Sequence, residues 1–125
     1  MGEKFSTEVA TVASGTDKTL INLFHAAATP TNRGRIKELT VGGVGTAVDA
    51  SATFYVGRTT AVGTEGSGLV PNNLDPGGPV GDFDSGLGVF GGEPTYTAAK
   101  HFIRFGMNHR ATWRWVADQG YEFVM

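Results

Sequence analysis

Apolar and polar residues alternate with a period of two along much of this chain. Between Phe5 and Ala13 every second residue shares one face of an extended backbone, and turn-forming residues occupy positions 14–17 before the next apolar run. This order predicts a strand, a tight turn and a second strand, which together form an N-terminal hairpin. We expect residues 1–15 to act as an edge strand or an arm.

Further alternating stretches predict strands in the middle and at the end of the chain. RIKELTVGG and SATFYVGRT each suit a strand, although the alternation of the first is imperfect. The pattern returns in TYTAAKHFIRFGMNHRATWRWVA and in the final GYEFVM. The strand around Trp113 and the final strand are predicted to form a hairpin across the short turn at Asp118 to Gly120.

Residues 61–94 interrupt this regularity. Their glycines and prolines exclude a regular helix and leave room only for brief strand pairing, so the segment is predicted to be a long loop. It nevertheless carries more apolar side chains than a solvated loop requires. We expect the segment to cover its own domain or to contact another subunit, and the sequence favours neither. The residues predicted at such an interface are Leu69, Val70, Leu74, Phe83 and Phe90.

Six or seven short strands separated by turn signals predict an all-β fold, and a β-sandwich is favoured over a small barrel. The length of 125 residues predicts one domain over residues 1–125. The composition supports this class, because 19 glycines are about twice the usual share and suit many turns.

Charge and cysteine content remove several classes of partner. The net charge is −2, and the basic residues form no cluster of the kind that binds a phosphate backbone, so no nucleic-acid partner is expected. No stretch has the length and apolar character of a membrane span, so no membrane partner is expected either. Without cysteine the chain has neither disulfides nor a thiolate site.

Three aspartates in the 61–94 segment form the best candidate for a metal site. Asp75, Asp82 and Asp84 supply the hard oxygen ligands that calcium prefers. The loop pattern is incomplete, since no bidentate glutamate follows at the expected distance. These residues are therefore interpreted as solvated turn residues and only as weak metal candidates.

No other motif predicts a cofactor or a catalytic activity. The glycines of TVGGVGTAVDAS lack the third glycine and the helix of a dinucleotide loop. His25, His101 and His109 lack the spacing of a metal-binding set, and no nucleophile elbow is present. We expect no cofactor and no enzyme activity.

The aromatic residues near the end of the chain admit two interpretations. Trp113 and Trp115 could stack on a ligand, or they could fill a core. Alternation places Arg114 on the opposite face, so the three side chains cannot act on one ligand, and the core is favoured. Phe123 and Met125 are predicted to be buried by the fold or by a neighbouring subunit. The predicted core residues are Phe54, Phe105, Trp113 and Trp115.

Five stretches resemble a known group of proteins. In order, they are TPTNRGRIKELTVGG, ATFYVGRTTAVGTEG, LDPGG, EPTYTA and NHRATWRWVADQGYEFVM. Together they are similar to small structural proteins of tailed-bacteriophage virions, which decorate or cement the capsid. The resemblance runs from about Thr29 to the last residue, and none of the stretches is a catalytic signature.

This resemblance implies a jelly-roll-like β-sandwich that associates with itself as a homotrimer. It also implies attachment to the major capsid protein at the capsid surface of a virion, after synthesis in the host cytoplasm. The alternative is a carbohydrate- or receptor-binding β-sandwich module of a virion. In that case Trp113, Tyr55 or Tyr96 would serve as stacking platforms.

Overall fold

A computed structural model describes residues 4–9, 18–26, 29, 33–43, 46, 48–79 and 81–125, with backbone only for residues 98–100. These residues contain eleven strands and no helix. The strands are Phe5–Ser6 (β1), Ile21–His25 (β2), Arg35–Ile36 (β3), Glu38–Gly42 (β4), Ser51–Ala61 (β5), Ser67–Leu69 (β6), Asn72–Asn73 (β7), Phe83–Leu87 (β8), Thr95–Asn108 (β9), Thr112–Val116 (β10) and Phe123–Val124 (β11).

The strands form several small antiparallel sheets. β8 lies between β2 and β6, and the other sheets are the pairs β1–β7, β4–β10, β3–β11 and β5–β9. All pairings with a defined register are antiparallel. The prediction of an all-β, antiparallel fold is confirmed. Sheets of this kind are consistent with a β-sandwich, and the jelly-roll arrangement stays a prediction.

The chain divides into two compact units. Unit 1 contains Met1–Arg33 and Thr59–Thr95, and unit 2 contains Gly34–Arg58 and Tyr96–Met125. The prediction of a single domain over residues 1–125 stays a prediction.

The centre of unit 1 is the middle strand β8. One face of β8 carries Ser85 and Leu87, both of which are buried. Ser85 is fully buried, and its hydroxyl donates to the carbonyl oxygen of Leu69 at 2.6 Å. Because that bond uses the only hydroxyl hydrogen of Ser85, the hydroxyl of Thr7 must donate to Ser85 Oγ, 3.0 Å away. One side chain thus ties β8 both to β6 and to the segment that follows β1.

The segment 61–94 is more regular than the predicted loop, because it supplies β6, β7 and β8. Its glycines allow close packing within the sheet. Gly68 and Gly86 are paired across β6 and β8, and a Cβ atom on either would lie 2.7 Å from a carboxylate oxygen of Glu65. Phe90 also packs against Gly86, where an added Cβ would lie 3.3 Å from its ring. These glycines therefore make room for neighbouring side chains within a strand.

The predicted N-terminal hairpin stays a prediction. β1 pairs with β7 and β2 pairs with β8, while the predicted turn at 14–17 lies outside the described residues. The strand predicted from Phe5 to Ala13 is limited to Phe5–Ser6 among the described positions, and residues 10–13 lie outside them. The partner strand explains this short length. β7 has two residues and follows Pro71, which has no backbone N–H to extend a ladder.

Unit 2 contains a long antiparallel ribbon. β4 pairs with β10, with Trp115 opposite Leu39, and β3 pairs with β11, with Phe123 opposite Ile36. Six residues, 117–122, therefore lie opposite Lys37 alone. The predicted hairpin between the last two strands is wrong, because both strands pair with partners from the first half of the chain.

Replacement of Ser85 by alanine should destabilise unit 1. The change leaves the Leu69 carbonyl and the Thr7 hydroxyl without their partner in a buried site, which costs about 1–3 kcal/mol. We expect the urea midpoint of Ser85→Ala to fall. Ser67→Ala, on the exposed strand β6, is the matched control and should have little effect. Equal midpoints for the two variants would contradict this role of Ser85.

Candidate functional site

Unit 1 exposes apolar side chains on the stretch 69–74, which runs from the last residue of β6 to the residue that follows β7, and which is called the exposed apolar turn below. Leu69 is 38% exposed, Val70 is 46% exposed and Leu74 is 61% exposed. They are three of the residues predicted at an interface. Large aliphatic side chains that remain open to solvent over such a short stretch mark a surface suited to contact with another protein.

The backbone that presents Leu74 is fixed by hydrogen bonds. The N–H of Leu74 donates to the carbonyl of Lys4 at 2.8 Å, which extends the β1–β7 pairing. On the other side, Asn73 accepts a bond from the N–H of Asp75 at 2.9 Å and donates to the carbonyl of Pro79 at 3.0 Å. Leu74 is therefore an exposed apolar side chain on an ordered turn, so binding through it requires little backbone ordering.

Two other predicted interface residues lie inside unit 1. Phe90 is only 4% exposed, and it packs against Gly86 in the middle strand β8. Phe83 is half-buried, and its ring centroid lies 4.8 Å from that of His25 on β2. These side chains stabilise the three-stranded sheet from within. Of the five residues of the segment 61–94 that were predicted at an interface, Leu69, Val70 and Leu74 are the exposed ones.

Unit 2 brings the four predicted core residues into two aromatic stacks, and all four are half-buried. In the first stack the Phe105 ring lies 5.6 Å from Phe54 and 3.9 Å from Trp113, measured between centroids. Both interplanar angles are 18°. One ring face of Trp113 is therefore covered by Phe105, which reduces the surface that the tryptophan could offer to a sugar.

The second stack is built around Phe123. Its ring lies 4.5 Å from Trp115 and 4.7 Å from Phe102, with interplanar angles of 7° and 20°. The guanidinium of Arg58 lies 5.5 Å from the centre of the Phe102 ring, within the range of a cation–π contact. Met125 is half-buried, and its N–H donates to the carbonyl of Gly34 at 3.0 Å. The end of the chain is thus tied to unit 2 by ring stacking and by backbone pairing.

The opposite face of β10 is open to solvent and carries Thr112, Arg114 and Val116. Arg114 is exposed, and its Nε atom donates to the carboxylate of Glu38 at 2.6 Å. This hydrogen bond and the charge of Arg114 lower the pKa of Glu38 below its usual value. Because Arg114 and the tryptophans occupy opposite faces of one strand, they do not form a common ligand platform.

The loop 117–122 is held by the carboxylate of Glu122. The backbone N–H of Glu122 and then that of Gly120 lower the pKa of this carboxyl, and the charges of Arg35 and Lys37 add to the effect. The side chain of Glu122 is 8% exposed, and Arg35 lies 3.4 Å from it. Gly120 has a φ of 90°, so the turn requires the left-handed conformation that glycine adopts readily.

The structure does not bring the aspartates together as a metal site. Asp75 is exposed and accepts the N–H of Gly77 at 3.1 Å, Asp82 is exposed just before β8, and Asp84 is half-buried on that strand. Within the described part of the chain, no group of three or more histidines, aspartates and glutamates could hold a metal ion. The rings of His101 and Tyr55 meet edge to face, with their centroids 4.4 Å apart, and His109 lies in the turn after β9.

Two exposed aromatic side chains were not predicted from the sequence. Tyr121 is 78% exposed at the tip of the loop 117–122, and Phe102 is 44% exposed beside Arg58. The turn signal at Asp118 to Gly120 could have indicated Tyr121, since a residue next to a tight turn tends to be solvated. The exposure of Phe102 could have been predicted from the alternation along β9, which places Phe102 on the face opposite to Ile103 and Phe105.

Comparison of the chain with protein-family models, with curated proteins and with solved structures finds no match. Within the described residues, no helix has the length and apolar character needed to cross a membrane.

Replacement of Phe123 by alanine should destabilise unit 2. The change removes both stacking contacts of the second stack, and loss of a large aromatic side chain costs about 3 kcal/mol when it is well packed. Tyr121→Ala removes a larger but exposed ring two residues away and serves as the control. We expect only Phe123→Ala to lower the urea midpoint followed by tryptophan fluorescence. Equal midpoints would count against Phe123 as the centre of the stack.

The contribution of Glu122 should depend on pH. Because its pKa is lowered in the folded chain, its stabilising effect is complete above the unfolded pKa and is lost as the pH falls through the folded value. Wild type should exceed Glu122→Gln in urea midpoint at neutral pH, and the difference should shrink below about pH 4. Asp118→Asn, an exposed change in the same loop, is the control. A difference that grows on acidification would contradict the assignment.

Proposed function

We propose that this chain is a non-enzymatic structural subunit of a phage virion. In this proposal it decorates or cements the capsid by associating with itself, as a homotrimer, and by contacting the major capsid protein. The similarity of the region from Thr29 to the last residue to small virion proteins supports the proposal. The single structural observation that carries it is the exposed apolar turn of unit 1.

This turn has the properties of an association surface. Leu69, Val70 and Leu74 present aliphatic groups to solvent, and hydrogen bonds to Asn73 and Lys4 hold the backbone on which Leu74 lies. Rigid apolar anchors bind well because little conformational entropy is lost when a partner covers them. A partner surface on another subunit or on the capsid protein would remove these side chains from water.

A lattice suits a subunit whose individual contacts are small. The exposed turn offers three large aliphatic side chains, which is a modest surface compared with a standard protein interface. On a capsid the same contact is repeated, and linked copies bind together more tightly than one copy does alone. A trimer would engage three equivalent positions at once, so weak single contacts would be sufficient.

The carbohydrate-binding alternative has less support. Trp113, its best candidate platform, is covered on one ring face by Phe105 at 3.9 Å. Tyr55 and Tyr96 contact each other edge to face, with centroids 5.7 Å apart, and Tyr55 also contacts His101. A flat and open ring pair of the kind that stacks on sugars is not formed by these side chains.

The proposal predicts a lattice-like copy number. Particles purified from the phage that encodes the chain should contain it in a simple ratio to the major capsid protein, as measured by quantitative mass spectrometry. Replacement of Leu74 by aspartate should reduce its incorporation at least about tenfold, because a charge would be buried at the contact. The protein would remain folded, since Leu74 is exposed in the free chain.

The control variant is Leu74→Met, which keeps an apolar side chain of similar volume and should be incorporated like wild type. Circular dichroism would show that both variants are folded. Absence of the protein from purified particles, or saturable saccharide binding with a tryptophan fluorescence change, would contradict the proposal. Equal incorporation of both Leu74 variants would show that the exposed apolar turn does not take part in the contact.

A further inference from the structure

The two units carry opposite net charge. Unit 1 has three basic and eight acidic residues and a formal charge of −5, whereas unit 2 has seven basic and four acidic residues and a formal charge of +3. In unit 1 the stretch Thr59–Thr95 has no lysine or arginine at all. The overall charge of −2 therefore conceals a strong separation of charge.

Among the acidic side chains of unit 1 that the structure describes, one forms a salt bridge and three others can be shown not to form one. Lys18 forms a salt bridge with Glu93, with 3.4 Å between the charged atoms. Within the described residues no basic side chain forms a salt bridge with Glu8, Glu65 or Asp84. Glu8 and Glu65 are exposed and Asp84 is half-buried, so this part of unit 1 presents uncompensated negative charge.

Three of the seven basic residues of unit 2 lie near its last strand. Arg35 pairs in register with Val124, and Arg58 donates to the carbonyl of Val124 at 3.1 Å. Lys37 lies near enough to Glu122 to affect its pKa. Glu122 is the carboxylate that pairs with Arg35 in this group, so three cations and one anion leave a net positive cluster.

Other exposed cations extend the positive charge of unit 2. Arg104 lies on β9 and Arg110 lies in the turn that follows it, and both are exposed. Neither of them, nor Lys37, has a salt-bridge partner among the residues that the structure describes. Unit 2 thus has positive groups that are available to a negatively charged partner.

We infer that the acidic unit 1 of one copy of this chain binds the basic unit 2 of a second copy. This inference rests on the self-association in the proposed function and names the surfaces that make it. Each copy supplies one surface of each sign, so the contact is head to tail. When such a contact is repeated around an axis it closes into a ring, and three copies would give a trimer.

A second copy fits the observations better than nucleic acid does. Unit 2 alone could attract a polyanion, but unit 1 carries −5 and would repel it from the same molecule. Other copies of the chain satisfy both surfaces, because the negative unit of each copy meets the positive unit of the next. Like-charged units repel each other, which disfavours contacts between two copies of unit 1 or two copies of unit 2.

The first test is the dependence of self-association on salt. Exposed charges are screened over about 8 Å at physiological ionic strength and over about 3 Å near 1 M salt. Sedimentation velocity of the wild-type protein should therefore show association that weakens about tenfold or more between low salt and about 0.5 M salt. Oligomers of unchanged stability across this range would overturn the inference.

The second test uses two charge-reversal variants. Glu8, Glu65 and Asp84 are changed to lysine in variant A, and Lys37, Arg104 and Arg110 are changed to glutamate in variant B. These changes give unit 1 of variant A a charge of +1 and unit 2 of variant B a charge of −3. We expect each variant alone to be monomeric, because its two units no longer carry strongly opposite charges.

A mixture of the two variants is the decisive sample. Unit 1 of variant B and unit 2 of variant A keep their native charges of −5 and +3, so the mixed sample should form complexes that neither variant forms alone. Circular dichroism would establish that both variants are folded. Failure of the folded variants to associate on mixing would overturn the inference, as would self-association of either variant like wild type.

These outcomes are separate from those that test the proposed function. If the protein is found on virions in a lattice-like ratio but its oligomers are insensitive to salt and to charge reversal, the proposed function is supported and the charged contact is wrong. If the protein forms a charge-dependent oligomer but is absent from virions, the contact is supported and the proposed function is wrong. Titration with a short DNA duplex would detect the competing partner, and binding to DNA with no self-association would overturn the inference.

Discussion

Pairing between distant strands is the constraint on which both units depend. No strand in the described part of the chain pairs with its neighbour in sequence. β3, β4 and β5 pair with β11, β10 and β9, so the pairings are nested from the outside inward. Each of them closes a long loop, and the entropy of closure must be offset before the backbone hydrogen bonds stabilise the sheet. The short strand β8 is equally important for unit 1, because it pairs with both β2 and β6.

The sequence predicted the strands better than it predicted their partners. Alternation correctly indicated the long strands β5 and β9, and it placed Arg114 on the face opposite to Trp113 and Trp115. A period of two determines which face a side chain occupies, but it does not determine which strand lies alongside. Both predicted hairpins relied on local turn signals. The C-terminal hairpin was wrong, because the strands on either side of its turn pair instead with residues more than sixty positions away. The turn of the N-terminal hairpin lies outside the described residues.

The candidate surface was only partly accessible to sequence reasoning for a related reason. Leu69 and Phe90 belong to the same irregular segment and are both apolar, yet one is exposed and the other is buried. Their exposure differs because Phe90 packs against β8, the middle strand of unit 1, whereas Leu69 lies on β6 at the edge of the sheet. The separation of charge was equally hidden, since the acidic and basic residues separate only after distant parts of the chain are assigned to one unit.

The exposed apolar turn and the separated charges have complementary effects on association. Burial of aliphatic groups such as Leu74 is non-directional, and by itself it would bring copies together in many orientations. Charges of −5 and +3 on different units act over a longer range and penalise contacts between like units. Units of about 70 and 55 residues have little room for large cores, so additional burial at a contact would be a substantial gain in stability. Electrostatics would then select the orientation in which that burial occurs.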